Sequence, residues 1–395
     1  AERWGEGSGS ACLHPPSRPS VRVRRQLRRP IDAHREPRRP GSLRARMGGA
    51  LAPQCGKSPL GLDDGEASLG AHYTTHLCPQ TIGEGMFSKA YICWRRDTPE
   101  CSYALKVFSP GSEAAAHFAT EVRVLRALGS HPRIIELVDV DAGNADDLAA
   151  MRVVLELCEG GQLYDRLVAK GRYEEPEAAK VMRQILEAVE FMHSRGVMHR
   201  DLKPENVLLI SKDSDVDIKV CDFGIAKLAD AALRQRRPRS RSFTGSDFYL
   251  APEMIRQEEY STEIDIWAVG VTGYALMSGS LPFVGEGGDL RETYHRIVSC
   301  DLDFDGEAWE DKSEGAITFI QHALSIRPQD RPTAATALQS PWLTRVWLEE
   351  CCVSDTSEGE EEEEDDHEDD GEGIDAGDDS FLFCGNPSGK ALYKM

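Results

Sequence analysis

The sequence predicts an α+β domain between about residues 72 and 347, strand-rich first and helix-rich afterwards, an order that keeps sheet and helices in separate parts of a fold. Three observations carry this. Ala104-Leu105-Lys106-Val107-Phe108 and Val153-Val154-Leu155 are short apolar runs of the kind that form buried strands. Ala178, Val181, Met182, Ile185, Val189 and Met192 recur at three- and four-residue intervals, which draws one apolar face along a helix that stops at Gly196. On either side the composition changes: residues 1–71 are basic and rich in Pro, Arg and Gly, residues 348–395 are acidic and poor in apolar side chains, and both are expected to be disordered.

The net charge of −21 is unevenly placed. Residues 1–46 hold twelve Arg against four acids, residues 354–380 hold sixteen acids and no Lys or Arg, and the remainder carries −13. An acidic core argues against a nucleic-acid partner. The best candidate for a membrane span, Ile264 to Met277, falls short of the roughly 18 apolar residues needed and has Asp265 inside it. Eleven Cys, with no Cys-x-x-Cys spacing and with Cys93, Cys158 and Cys221 in apolar segments, fit reduced thiols in the cytoplasm or nucleus.

Some local patterns fail on inspection. Cys55-Gly56-Lys57-Ser58 ends like a phosphate loop, but Leu51 stands where the first Gly belongs. The acidic stretch around Gly371 has Gly377 where a calcium loop needs its bidentate Glu. Met47 is the first methionine, and the Arg-rich composition stops just before it, so residues 1–46 are expected to be translation from upstream of a start at Met47.

Phosphoryl transfer to a hydroxyl requires backbone amides around the phosphates, cations to neutralise their charge, and a carboxylate to position the attacking oxygen. Ile82-Gly83-Glu84-Gly85-Met86-Phe87-Ser88 is a Gly-rich turn between strands, where missing side chains let the main chain approach phosphate oxygens. Lys106 follows Gly85 by 21 residues, within an apolar strand where an unpaired charge is costly, and Glu121 on a helix expected from Glu113 to Leu128 is its natural partner. His199-Arg200-Asp201-Leu202-Lys203-Pro204-Glu205-Asn206 is the most specific segment, followed sixteen residues after Asn206 by Asp222-Phe223-Gly224. Downstream stand Ala251-Pro252-Glu253, Asp265-Ile266-Trp267 and Asp330-Arg331-Pro332.

On these motifs, residues 72–347 resemble the eukaryotic protein kinase superfamily. The resemblance implies a bilobal fold, with a small antiparallel-sheet N-lobe (about 72–158) carrying one main helix, a larger helical C-lobe (about 159–347), and ATP with Mg²⁺ in the cleft between them. Asp201 would orient the substrate hydroxyl and take its proton, Lys203 would steady the γ-phosphate, and Asn206 and Asp222 would hold Mg²⁺. The Gly-rich turn and Lys106 would face the phosphates, Glu156, Cys158 and Gln162 would lie along the hinge and ribose behind Leu155, and Ala90, Ala104 and Leu208 would sandwich the adenine. Glu253 and Arg331 would form a buried ion pair anchoring the activation segment. Lys203-Pro204-Glu205 looks like the serine/threonine branch. Cys158-Glu159-Gly160-Gly161-Gln162-Leu163-Tyr164-Asp165, Leu281-Pro282-Phe283 and Pro341-Trp342-Leu343 look most like the calcium/calmodulin-dependent group.

Protein substrates are the expected partners, with an upstream activating kinase acting on the activation segment. Ser242 is nine residues before Ala251, at the position of the family phosphosite; Ser240 and Thr244 are the neighbouring candidates, and Arg200, Lys227 and His117 would receive the phosphate. The sequence also departs from the group. Ser88 replaces the third Gly, Gln162 a common Glu, and Gly245-Ser246-Asp247-Phe248-Tyr249 the usual Gly-Thr-Pro-x-Tyr. No basic amphipathic helix follows Trp342, so calmodulin is not supported as a partner. The rival function is a catalytically weak kinase-fold scaffold, which typically lacks the strand Lys, the catalytic Asp or the metal Asp; all three are present here.

Overall fold

The computed structural model describes residues 69–76, 80–142, 151–228 and 245–345. Its first part is an antiparallel sheet with a helix against it. A short helix α1 (Leu69–His72) leads into β1 (Tyr73–Thr74), β2 (Thr81–Glu84), β3 (Ser88–Arg95), β4 (Ser102–Phe108), α2 (Ser112–Leu128), β5 (Leu137–Asp141) and β6 (Arg152–Glu156). The order across the sheet is β1-β3-β4-β6-β5, with β2 pairing the same edge of β3 as β1. In this register Ala90 stands opposite Lys106, Ala104 opposite Leu155, and Lys106 opposite Val153.

The sheet buries side chains on both faces, as alternation along a strand requires. Val153 and Leu155 join Phe108 and Phe118 of α2 in the main core. Leu105, Val154 and Cys93 point the other way, into a smaller cluster that Leu69 and Tyr73 complete. The apolar run at 104–108 is therefore less buried than its composition predicts: only Leu105 and Phe108 are fully enclosed, while the intervening side chains are half-buried.

The second part is helical. It contains β7 (Gly161–Gln162), α3 (Leu163–Lys170), α4 (Glu175–Ser194), β8 (Val197–Met198), β9 (Val207–Leu209), β10 (Ile218–Val220), β11 (Lys227–Leu228), α5 (Pro252–Ile255), α6 (Glu263–Ser278), α7 (Leu290–Ser299), α8 (Glu314–Ala323) and α9 (Ala334–Leu338). The apolar face read from the sequence on α4 is wholly enclosed, with Ala178, Val181, Met182, Ile185, Val189 and Met192 all at 0% exposure. Helix α6 is apolar all round, and every residue from Ile264 to Met277 is buried, which makes it the central post of this part. Its approach to α8 depends on Gly270, where a Cβ would sit 2.9 Å from Ala323 Cβ and Leu324 Cγ. Helix starts are fixed locally: the Asp289 side chain accepts the N–H groups of Arg291 and Glu292, and Ser313 accepts that of Ala316.

The two parts are stitched behind the cleft by the segment after α2. Val220 N–H donates to Arg133 O, and Ile135 N–H donates to Val220 O. This ties β10, and with it the residues that follow, to the segment between α2 and β5. No helix among the described residues is long and apolar enough to cross a membrane.

Candidate active site

The strand lysine meets partners from two other segments. Lys106 Nζ on β4 lies 2.8 and 2.7 Å from the two carboxylate oxygens of Glu121 on α2, and 3.2 Å from Asp222 Oδ1 beyond β10. Glu121 is fully enclosed, whereas the Asp222 side chain keeps 48% of its surface open to the cleft. Burial works against the charge on Lys106, but the Glu121 and Asp222 carboxylates override it and raise its pKa. Lys106 in turn holds the Asp222 carboxyl down at about 2, so it is ionised at any physiological pH.

The loop between β8 and β9 assembles a second group. Lys203 Nζ is 2.8 Å from Asp201 Oδ2, and the Asn206 amide donates to Asp201 O at 2.7 Å and to Asp201 Oδ2 at 3.0 Å. Cys221 N–H donates to Asn206 O at 2.9 Å, which ties this loop to the Asp222 segment. His199 bridges the same two segments: its Nε2 is 3.0 Å from Cys221 O, and its Nδ1 accepts the N–H of Asp201 at 3.3 Å.

Two residues here hold left-handed backbone without being glycine, Arg200 at φ 71° and Asp222 at φ 64°. Such conformations persist only where surrounding contacts enforce them. Asp265 supplies the enforcement for Arg200. From the first turn of α6 its Oδ2 accepts the N–H of His199 and its Oδ1 that of Arg200, both at 2.9 Å, and His193 Nε2 lies 2.9 Å from Oδ2. Burial pushes the Asp265 carboxyl up, but His193 and these N–H donors more than offset it, leaving it below its ordinary value. In the sequence Asp265 stands out only as an acid inside the apolar run from Ile264 to Met277. An acid inside an apolar run must find donors, and that was the available signal.

Several expected site residues occupy plainer positions. Ile82 and Met86 are 46% and 63% exposed on the Gly-rich hairpin, whose Gly85 N–H donates to Ser88 O. Gly83, Phe87, Ser88, Ala90, Ala104, Gln162 and Leu208 are half-buried, and Glu84 is exposed and paired with Lys89. The Glu156 carboxylate is engaged within the protein: it accepts Glu136 N–H at 2.7 Å and pairs with Lys219 at 2.7 Å. Cys158 is half-buried, and burial pushes its thiol up to about 12. Ser240, Ser242 and Thr244 lie outside the described residues. Of the basic groups expected around them, Arg200 has a buried Nε with no hydrogen-bond partner among the described residues, while the His117 ring packs against Phe87.

Glu253 and Arg331 form a two-point ion pair at 2.6 and 2.8 Å, both side chains at or below 2% exposure. Glu205 Oε2 is buried without a partner among the described residues, and burial raises the pKa of its carboxyl. In the segment 245–249, Asp247 and Tyr249 are buried and Phe248 half-buried.

The sequence that builds this site is similar to those of known proteins. The Protein kinase domain family matches residues 78–343. A calcium/calmodulin-dependent protein kinase type 1 of Macrobrachium nipponense is 34% identical over 71% of this chain and 79% of its own length. The type 1 kinase of Caenorhabditis elegans is 36% identical over 67% and 72%. The human type IV enzyme is 37% identical over 67% of this chain and 53% of its own. The chain belongs to the protein kinase family, as a serine/threonine kinase most like the calcium/calmodulin-dependent group.

Proposed function

We propose that this kinase transfers the γ-phosphate of Mg-ATP to serine or threonine hydroxyls of protein substrates, and that phosphorylation of its activation segment raises its activity. The observation that carries the proposal is that Lys106 of strand β4 meets Asp222 of the segment after β10, and that the Cys221 N–H bond to Asn206 O ties that segment to the loop holding Asn206, Lys203 and Asp201.

The donor chemistry fits a magnesium ion. Asn206 and Asp222 offer hard oxygen atoms, Asp222 is ionised and half-open, and Mg²⁺ commonly takes only one or two protein carboxylates and completes its shell with phosphate oxygens and water. When bound, Mg²⁺ supplies charge neutralisation on the transferring phosphate. The chain's own residues do the rest. Lys106, held by Glu121, presents a fixed cation to the phosphates; Asp201 accepts the proton of the attacking hydroxyl, with its carboxylate oriented by Asn206; Lys203 balances charge on the group in transit. The buried Glu205 oxygen favours peptides carrying a basic side chain near the acceptor.

For control, Arg200 Nε, which has no hydrogen-bond partner among the described residues, supports an activation-segment phosphate on Ser242, with Ser240 and Thr244 as alternatives. Calmodulin appears in the names of the type 1 and type IV relatives. The acidic segment after Trp342 lacks the basic amphipathic pattern of a calmodulin target, so control is assigned to the activation segment. The test is release of ADP from ATP in the presence of a basic protein substrate, with and without a magnesium chelator and with and without calcium-loaded calmodulin. Magnesium-dependent turnover that is indifferent to calmodulin is expected. Turnover that persists in chelator, or that needs calmodulin, contradicts the corresponding half of the proposal.

A further inference from the structure

We propose that His117 is a positioning residue for phosphoryl transfer, joining the Gly-rich turn to the Asp222-Phe223-Gly224 triplet through one imidazole ring. His117 lies on α2, one helical turn before Glu121. Its ring centroid is 4.3 Å from that of Phe87 at the tip of the Gly-rich turn, with the planes tilted by 38°. Rings this close attract one another. On its other side the imidazole reaches Gly224, where a Cβ would stand 2.8 Å from His117 Nδ1 and 3.5 Å from His117 Cβ. A glycine at 224 is therefore what admits the ring.

The contact matters because the tip of the turn has little else to hold it. Of its large apolar side chains, Ile82 and Met86 stand 46% and 63% exposed, and Phe87 is the one packed against the core. Phe87 O also accepts the N–H of Ser109, which ties the turn to the end of β4. The ring pair thus sets the height of the turn over Lys106 and Asp222. It also links that height to α2, the helix whose Glu121 holds Lys106. Removing the ring leaves the Lys106–Glu121 pair in place but unfastens the turn, so the loss falls on nucleotide binding and not on the protein substrate.

The inference rests on the proposed ATP site and is tested by steady-state kinetics with ATP and one peptide, on Phe87→Leu, His117→Leu, the double variant and His117→Phe. Each single leucine variant is expected to raise KM for ATP about two- to tenfold, the range an aromatic pair accounts for. KM for the peptide and the melting temperature should stay close to wild type. The double variant should be no worse than either single, and His117→Phe, which restores a ring, should recover most of the loss. Amide hydrogen exchange over residues 83–88 should quicken in His117→Leu, a readout independent of turnover. Unchanged KM for ATP in the single variants, or a double variant equal to the product of the two, overturns the proposal. So does a fall in kcat and melting temperature with KM intact, which would give His117 a merely structural place. Wild type without ATP-dependent transfer would instead overturn the proposed function itself.

Discussion

Asp265 accepts the backbone N–H of Arg200 at 2.9 Å, across 65 residues of chain, and so holds a non-glycine residue in left-handed backbone immediately before Asp201. The same carboxylate takes the N–H of His199, so one side chain from the central helix sets the course of the loop that carries the proposed base. Asp265→Ala leaves both N–H groups buried without acceptors, at about 1–3 kcal/mol for each. The expected outcome in urea unfolding is a loss of about 3 kcal/mol, with a smaller loss for Asp265→Asn, whose single oxygen can still accept. Turnover should fall in the same order while KM for ATP holds.

Glu253 and Arg331 make a second long-range tie, fully enclosed. Removing one partner of a buried pair leaves an uncompensated charge and costs about 3–5 kcal/mol. Glu253→Leu and Arg331→Met should each show that loss. The double variant should lose clearly less than the sum, because neither charge is then left alone. A double-variant cycle by chemical denaturation reads the coupling directly.

Lys106 joins structure to chemistry, and the two contributions are separable. Lys106→Met strands Glu121, which is 0% exposed, and is expected to destabilise by about 3 kcal/mol. Adding Glu121→Leu should recover much of the stability. It should not recover transfer, which is expected to be about 100-fold or more below wild type in both variants because the fixed cation is gone.

The Asp222 carboxyl, lowered to about 2 chiefly by Lys106, gives a pH dependence of definite sign. A lowered carboxyl pKa stabilises the folded state fully above the ordinary carboxylate value near 4, and that contribution is lost as pH falls toward about 2. The raised Lys106 value acts from the other end: its contribution is intact below its ordinary 10.5 and fades only above it. The difference in melting temperature between wild type and Asp222→Asn should therefore be flat from about pH 5 to 9 and close below about pH 4. A difference that grows toward low pH has the wrong sign for this pair.

Much of the fold was legible because its signals are local. The three- and four-residue spacing on α4 and the apolar run of α6, interrupted near its start by Asp265, are patterns within one element, and each element buries what its pattern says it should. The pairing of Lys106 with Glu121 was legible for a different reason, since a charged residue in an apolar strand must be matched within reach. What the sequence hid is set by tertiary placement. The Glu156 carboxylate is engaged within the protein by Lys219 on β10 and the N–H of Glu136, partners that only the fold brings to it. The contact of His117 with Phe87 and Gly224 joins three segments that no spacing rule connects. Glu175 shows the same limit: at the start of α4 its carboxylate takes donors from Ser313 and from Trp342, 138 and 167 residues away.

The central claim is that Asp201 and its neighbours move a phosphate from ATP to a serine or threonine hydroxyl. The most direct measurement is transfer of label from γ-labelled ATP to a basic protein, followed by phosphoamino-acid analysis, for wild type and for Asp201→Asn of matched melting temperature. Label on phosphoserine or phosphothreonine in wild type, lowered by about 100-fold or more in Asp201→Asn, is the predicted result, a loss on the scale of general-base catalysis. Equal labelling by the two proteins, or label confined to phosphotyrosine, would contradict it.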